Sequence, residues 1–179
     1  VLAGHSLGGL VATAVAEARP DLVRRLVLVD SPPTAASRQA ANSALERMMR
    51  LPLLGQLLWT LAPTGLLRRG ARSGVAPGAP VPDVLVDDVR ATSHQAFVGS
   101  TRGGGAYLDA RSLYDRVGAL PIAVDVVFGL EDLRVAPSSL DGYDGLANVT
   151  ITRIPGVGHS PPLEAPQAVA DVVIAATRG

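Results

Sequence analysis

The sequence predicts an α/β fold, in which short apolar strands alternate with helices, and two observations support this class. Residues 1–3 are apolar and run into a Gly-x-Ser-x-Gly pattern at residues 4–8, and small apolar residues then continue as a predicted helix that Pro20 ends. Residues 26–30 form a second short run, rich in Leu and Val, that ends in an acid. A strand, a tight turn, a helix and another strand in this order are typical of an open parallel sheet.

The tight turn places one serine where it can act as a nucleophile. A serine hydroxyl is a weak nucleophile, so it must be held clear of the backbone, beside a base and near amide N–H groups that stabilise an oxyanion. We predict that Gly4 and Gly8 occupy the two positions where a side chain would collide, and that the Leu7 N–H faces the substrate carbonyl oxygen. A solvated serine in a glycine-rich turn is the alternative. The strand before Ser6 and the helix after it favour the nucleophile.

Further motifs resemble those of the α/β hydrolase family. Gly-His-Ser-Leu-Gly-Gly at residues 4–9 is a form frequent among lipase-like and esterase-like members. A predicted strand over residues 120–128 leads into Gly-Leu-Glu-Asp at 129–132, which is similar to the turn that carries the family's acid. A strand over residues 149–154 leads into a loop that ends at His159 before a closing helix. The order serine, aspartate, histidine is that of the family.

The resemblance implies a catalytic triad. His159 takes the Ser6 proton as general base, and Asp132 orients the imidazole and stabilises its charged form. Two other acids remain candidates for the third position. Glu131 is the direct neighbour of Asp132, and Asp30 ends a strand at the carboxyl edge, where acids of open α/β sheets can reach the site.

The other two histidines are assigned roles outside the triad. His5 adjoins Ser6 on a sharp turn, so we expect its side chain to point away from the nucleophile and to pack or hydrogen-bond beside the pocket. His94 is predicted on a helix surface or a pocket wall, because no companion ligands stand at metal-binding spacing. No metal and no cofactor is implied.

The segment over residues 34–105 reads as helices and loops without a clear strand. Predicted features are a helix over 37–50 carried by Ala41, Ala44, Leu45, Met48 and Met49, a helix over 82–98, and flexible connections at 70–80 and 100–105. The segment resembles the helical cap that many α/β hydrolases insert over the site. We therefore predict a core of residues 1–33 and 106–179 and a cap of residues 34–105, where substrate choice resides.

Leu51 to Leu67 is uncharged and rich in leucine, which raises the question of a membrane span. It is shorter than the roughly 20 residues that a bilayer requires, and proline and glycine interrupt it. We expect two short cap helices that line an apolar pocket, with contact to a lipid interface as the lesser alternative.

The resemblance also implies strands and an oxyanion loop upstream of Val1, since the chain begins directly before the nucleophile turn. We therefore expect the chain to represent the carboxyl-terminal portion of an α/β hydrolase parallel sheet with a cap insertion. Expressed alone, these residues are expected to aggregate and to show little activity, because apolar surface next to the turn would be uncovered.

Composition restricts the partners of the protein. Its 179 residues can bury one sizeable core, and 47% of them are hydrophobic. Sixteen basic residues, all arginine, balance sixteen acidic ones, which argues against nucleic-acid binding and electrostatic membrane docking. There is no cysteine, which excludes disulfides and fits a reducing compartment such as the cytoplasm.

These observations predict a serine hydrolase that acts through an acyl-enzyme on a small ester-like substrate with an apolar portion, most nearly a carboxylic ester hydrolase. A serine nucleophile argues against dehalogenase-like and epoxide-hydrolase-like chemistry, which needs a carboxylate. It does not separate esterase, lipase, thioesterase, lactonase, amidase or carbon–carbon hydrolase activity. The alternative is a binding protein that kept the fold, or an inactive fragment.

Overall fold

A parallel sheet forms the centre of the protein. The computed structural model describes residues 1–39 and 44–178. Within them, four parallel strands lie side by side in chain order. They are β1 (Leu2–His5), β2 (Arg25–Val29), β3 (Ala123–Gly129) and β4 (Val149–Ile154). The predicted α/β class with a parallel sheet is confirmed.

Helices follow or separate these strands. They are α1 (Leu7–Ala18), α2 (Ala44–Met49), α3 (Leu54–Leu61), α4 (Thr64–Ala71), α5 (Asp83–Ala91), α6 (His94–Ala110), α7 (Leu113–Gly118), α8 (Pro161–Glu164) and α9 (Pro166–Arg178). Short 3-10 turns span Arg72–Gly74 and Pro137–Tyr143. Helices α2 to α5 and most of α6 fall within the predicted cap segment, so the insertion between β2 and β3 is helical among the described residues.

Both faces of the sheet are covered at its middle strands, which explains why β2 and β3 are mostly apolar. Successive strand residues point to opposite faces. Leu26 and Leu28 of β2 are fully buried in a cluster that includes residues of α1, α6 and α7. Val27 and Val29 face the other way and pack with Val127 against α9.

The strand ends are aligned along one edge of the sheet. His5 pairs with Val29, and Val29 pairs with Val127 in register. The segments that follow β1, β2 and β3 therefore leave the sheet at the same level. This alignment brings the carboxyl ends of the strands together, which is where open α/β sheets place their ligands.

The helix predicted over residues 37–50 begins later than expected. Residues 37–39 are not helical, and Arg38 instead forms an antiparallel bridge with Val135. The Ser37 hydroxyl donates to the carbonyl oxygen of Thr34, and such local bonds compete with a helix. Helix α2 starts at Ala44, and the predicted core position Ala41 lies outside the described residues.

The helix predicted over residues 82–98 is two helices. Helix α5 ends at Ala91, Thr92 is extended, and Ser93 begins α6 by accepting a hydrogen bond from the Ala96 N–H at 3.1 Å. A serine at this position is a strong helix-start signal. The helical spacing of apolar residues continues from α5 into α6 without a break at Ser93, so the pattern alone predicts one helix.

The predicted flexible connection at residues 100–105 is wrong, because α6 continues through it to Ala110. Gly104 is buried where α6 crosses α1, and a Cβ atom there would overlap the side chain of Leu7. The glycine therefore permits a close helix crossing. The predicted boundary between cap and core at residue 105 falls inside this helix.

Leu51 to Leu67 contains α3 and the first half of α4, two short helices as expected. Helices α4 and α5 share a small core of their own, formed by Leu67, Ala71 and Val86. Among residues 1–39 and 44–178, no helix combines the length and the apolar character that crossing a bilayer requires.

A test of the continuous helix α6 uses Gly103, which is exposed and whose Cβ position is at least 4 Å from every described atom outside its own helix turn. Because glycine costs about 0.8–1 kcal/mol relative to alanine inside a helix, Gly103→Ala is expected to raise the free energy of unfolding by about 0.5–1 kcal/mol. Gly104→Ala is the matched control and should gain less, because its methyl group meets Leu7. Urea denaturation of the full-length protein measures the stability of both variants. A Gly103→Ala variant that is less stable than the wild type, or no more stable than Gly104→Ala, would contradict a helix at Gly103.

Candidate active site

Ser6 lies on the turn between β1 and α1 in a backbone conformation that side chains rarely adopt. Its φ is 52° and its ψ is −122°. A non-glycine residue in this region costs free energy and persists only where its surroundings hold it. The Ser6 N–H donates to the Val29 carbonyl at 2.8 Å, and the Ser6 carbonyl accepts from the Gly9 N–H at 3.0 Å. The turn is fixed from both sides, and this strained serine has the backbone of a nucleophile elbow.

Glycines let the chain close this turn. A Cβ atom at Gly4 would overlap the backbone of Gly8, and one at Gly9 would overlap the side chain of Ser31. The prediction that a side chain at Gly8 would collide is wrong, since a Cβ atom there meets no described atom within 4 Å. Gly4 approaches backbone atoms of Gly8, so this contact leaves the side-chain position of Gly8 open. The second position where a side chain would collide is Gly9.

The structure brings Ser6, His159 and Asp132 together. His159 Nε2 lies 2.8 Å from Ser6 Oγ, and His159 Nδ1 lies 2.7 Å from Asp132 Oδ2. Since a carboxylate only accepts, Nδ1 carries the proton, and Nε2 of the neutral ring is left to accept from the Ser6 hydroxyl. His159 is 4% exposed and Asp132 is 3% exposed, so bulk water does not compete for this pair.

Asp132 is held in place by backbone N–H groups. Its Oδ1 accepts from the N–H of Arg134 at 2.6 Å and from that of Val135 at 3.0 Å, which leaves Oδ2 directed at His159. Its turn packs directly on the histidine loop, because a Cβ atom at Gly129 would overlap the Gly158 carbonyl oxygen. Backbone contact between the two loops fixes the distance between their side chains.

Neither alternative acid reaches His159. Glu131 is exposed, and its N–H donates to the Val157 carbonyl. Asp30 is fully buried, with Oδ1 accepting from the Gly129 N–H at 2.9 Å and Oδ2 without a hydrogen-bond partner among the described residues. Burial, with the nearby charge of Asp132 adding to it, raises the pKa of Asp30 to about 9. Asp30 is therefore a neutral acid at physiological pH.

The two remaining histidines hydrogen-bond to backbone carbonyls. His5 Nε2 lies 2.6 Å from the carbonyl oxygen of His159, and burial, followed by the charge of His159, lowers the pKa of His5. His94 Nε2 lies 2.7 Å from the Met49 carbonyl, and its ring packs against Trp59. No group of three or more potential metal ligands occurs in the described part of the chain.

A pocket of about 590 Å³ opens above Ser6 and His159. The chain between β2 and β3 supplies most of its wall, and apolar side chains dominate the surface. They include Met49, Trp59, Leu66, Leu67, Val89 and Phe97. Leu7 also lines the pocket and is the first residue of α1, so its N–H lies at the open end of the helix, where backbone donors lack partners within the helix. The pocket can hold an apolar group next to a polar end.

The sequence reasoning missed Glu164. Its carboxylate accepts hydrogen bonds from the backbone N–H groups of Gly158, Ser160 and Ala76. A general signal was present, because an acid in the first turn of a helix, such as Glu164, lies near backbone N–H groups that lack partners within the helix. The site motifs that resemble the family end at His159, and they assign no role to Glu164.

Comparison with known proteins agrees with the fold and the strand–turn–helix arrangement. The sequence model of the alpha/beta hydrolase family matches residues 1–172, and the chain belongs to this family. No curated protein sequence matches the chain.

Solved structures with the same fold include three hydrolases. A serine-to-alanine variant of the meta-cleavage product hydrolase of Pseudomonas fluorescens IP01 has a TM-score of 0.72 at 18% identity, over 98% of this chain and 63% of its own. The 2-hydroxy-6-oxo-6-phenylhexa-2,4-dienoate hydrolase of Rhodococcus sp. strain RHA1 has a TM-score of 0.71 at 19% identity, over 99% and 63%. A thermophilic esterase of Thermogutta terrifontis has a TM-score of 0.69 at 21% identity, over 99% and 64%. The chain thus spans slightly less than two thirds of each, and at these identities the likeness is one of fold.

The neutral Asp30 makes stability depend on pH. An aspartate in an unfolded chain titrates near pH 4, so between about pH 4 and about pH 9 the folded protein holds a proton that the unfolded chain has lost. This contribution to stability is complete below pH 4 and is lost as the pH rises toward 9, by at most about 1.4 kcal/mol per pH unit. Asp30→Asn keeps the acceptor for Gly129 and has no proton to lose. We expect its melting temperature to exceed that of the wild type increasingly from pH 6 to pH 9, as measured by calorimetry. Parallel curves for the two proteins would contradict a neutral Asp30.

Proposed function

We propose that the protein is a serine hydrolase that uses Ser6, His159 and Asp132 as a catalytic triad on an ester-like carbonyl substrate with an apolar portion. The observation that carries the proposal is the continuous hydrogen-bonded path from Ser6 Oγ through the His159 ring to Asp132 Oδ2, with distances of 2.8 Å and 2.7 Å. The path lies beside an apolar pocket and uses a serine whose backbone is strained. Membership of the hydrolase family supports the same class of chemistry.

The acylation step follows from the direction of these hydrogen bonds. Ser6 Oγ attacks the carbonyl carbon while its proton passes to His159 Nε2, and the imidazolium is stabilised by the carboxylate of Asp132. The carbonyl oxygen gains negative charge and is stabilised by the Leu7 N–H. The carbonyl then re-forms, the bond to the leaving oxygen breaks, and His159 gives its proton to that oxygen. An alcohol leaves, and the acyl group remains as an ester on Ser6.

The deacylation step repeats this path with water. His159 Nε2 takes a proton from a water molecule as the water oxygen attacks the acyl carbon, and the proton then returns to Ser6 Oγ as the acyl bond breaks. The product is a carboxylic acid, and the enzyme is regenerated.

The pocket supports an apolar acyl or alcohol group. Its volume of about 590 Å³ accommodates a small molecule. We propose that residues 34–105 act as a cap, since Trp59, Leu66 and Phe97 of this segment face Ser6 and His159 across the pocket. Burial of an apolar group against them contributes roughly 25 cal/mol for each Å² removed from water. Within the hydrolases, a carboxylic ester is therefore the substrate that we propose.

The nucleophile can be tested by covalent labelling. The full-length protein should react with a serine-directed fluorophosphonate, and Ser6→Ala should abolish this labelling, because Ser6 Oγ lies 2.8 Å from His159 Nε2. Ser100→Ala is the matched control, since Ser100 is exposed on α6 and donates to the Phe97 carbonyl. Mass spectrometry of the labelled peptide measures the outcome. A wild type that is folded but unreactive would favour a binding protein that kept the fold.

The identity of the acid can be tested by comparing variants of three acidic residues. Asp132→Asn should lower kcat by about four powers of ten, because the amide no longer orients His159. Glu131→Gln, at an exposed neighbour, is the matched control and should leave kcat unchanged, and Asp30→Asn should reduce it far less than Asp132→Asn. Hydrolysis of short-chain p-nitrophenyl esters provides the rates. A larger loss at Asp30 than at Asp132 would move the acid to Asp30.

A further inference from the structure

The peptide group that follows His159 is held at both of its polar ends by side chains from different elements. Its carbonyl oxygen, which belongs to His159, lies 2.6 Å from His5 Nε2. Its N–H, which belongs to Ser160, donates to Glu164 Oε1 at 3.1 Å. His5 ends β1 directly before the nucleophile, and Glu164 ends α8. One planar group is thus fixed between the serine turn and the closing helices.

The acceptor at the Glu164 end is itself fixed. Its carboxylate also accepts from the Gly158 N–H at 3.1 Å and from the Ala76 N–H at 2.7 Å. Three backbone donors on two chain segments leave the carboxylate little freedom to rotate, and charge makes each of these bonds stronger than a neutral one. Gly158 allows the segments to meet, because a Cβ atom there would overlap the backbone of Val75 and Ala76.

The donor at the His5 end has a defined proton. A carbonyl oxygen only accepts, so Nε2 of His5 carries the hydrogen. Burial disfavours a second proton on this ring, which remains neutral and packs 5.1 Å from the His159 ring between centroids. His5 therefore fixes the histidine loop without adding a charge that would repel an imidazolium at His159.

We infer that His5 and Glu164 are positioning residues that together hold the backbone of His159, so that Nε2 stays within hydrogen-bond distance of Ser6 Oγ. This inference rests on the proposed triad. The contact with Asp132 sets the orientation of the imidazole ring. The hydrogen bonds at the two ends of the peptide group set the position of the His159 backbone, from which the side chain extends. An imidazole displaced by about 1 Å loses on the order of 10²-fold in rate.

The inference can be tested by releasing each end of the peptide group separately. Glu164→Gln keeps the size of the side chain but offers one acceptor oxygen to three donors, and His5→Leu removes the ring donor. Each is expected to lower kcat for a p-nitrophenyl ester by about 10- to 100-fold with little change in KM, when rates are counted per titrated active site. His5→Gln retains an N–H donor at similar reach and should recover most of the loss. Glu131→Gln is the matched control at an exposed glutamate, and it should resemble the wild type.

The double variant His5→Leu, Glu164→Gln separates positioning from a stabilising role. Because both side chains hold one peptide group, releasing the second end should cost much less than releasing the first, and the two losses in kcat should not multiply. Multiplying losses would overturn the inference, as would an unchanged kcat per active site with only a lower melting temperature. Failure of the proposed function is distinguished by the wild type, which would then bind no fluorophosphonate and hydrolyse no ester.

Discussion

The arrangement of the candidate site depends on direct contact between backbones at the carboxyl edge of the sheet. Ser6, Asp132 and His159 come from separate parts of the chain, and their side chains are short. They meet because the turn at Gly4 closes on Gly8, and because Gly129 and Gly158 bring the acid turn, the histidine loop and the segment at Ala76 into contact. A Cβ atom at Gly4, Gly129 or Gly158 would overlap backbone atoms of the facing segment and separate the two segments. The parallel register of β1, β2 and β3 brings the chain ends to the same level, and the glycines then bring them within reach of one another.

Much of this arrangement could be predicted because it leaves local signals. Strands β2 and β3 are mostly apolar runs, and the turns at residues 4–9 and 129–132 have distinctive patterns. These patterns resemble those of the α/β hydrolase family, and the resemblance implied the grouping of Ser6, Asp132 and His159, which lie within hydrogen-bond distance. Their catalytic role stays a prediction. What the sequence could not reveal arises from contacts between distant segments. The local sequence around Gly104 predicts a loop, and its role as a close contact with Leu7 depends on the packing of α6 against α1. Likewise, the contact between Gly9 and Ser31 depends on the pairing of β1 with β2.

Charge at the site is limited by burial. Burial is the main cause that raises the pKa of Asp30 to about 9, and the charges of Asp132 and Glu164 add to it. Asp132 accepts from two backbone N–H groups and lies 2.7 Å from His159 Nδ1, and Glu164 accepts from three N–H groups. Asp30 accepts from the Gly129 N–H, which does not offset its burial, so it stays protonated at neutral pH. A neutral Asp30 leaves the negative charge of Asp132 as the one that His159 contacts.

Glu164 also links the segment after α4 to the histidine loop. The N–H of Ala76 belongs to this segment, whereas Gly158 and Ser160 flank His159, and one carboxylate accepts from all three. Shortly before Ala76, the same stretch of chain lines the pocket at Ala71 and Ser73. A displacement of the chain at Ala76 would therefore be transmitted to the backbone beside His159 through the Glu164 carboxylate, because leaving a half-buried carboxylate without its donors is costly. One edge of the pocket and the placement of His159 are in this way connected through a single hydrogen-bonded group.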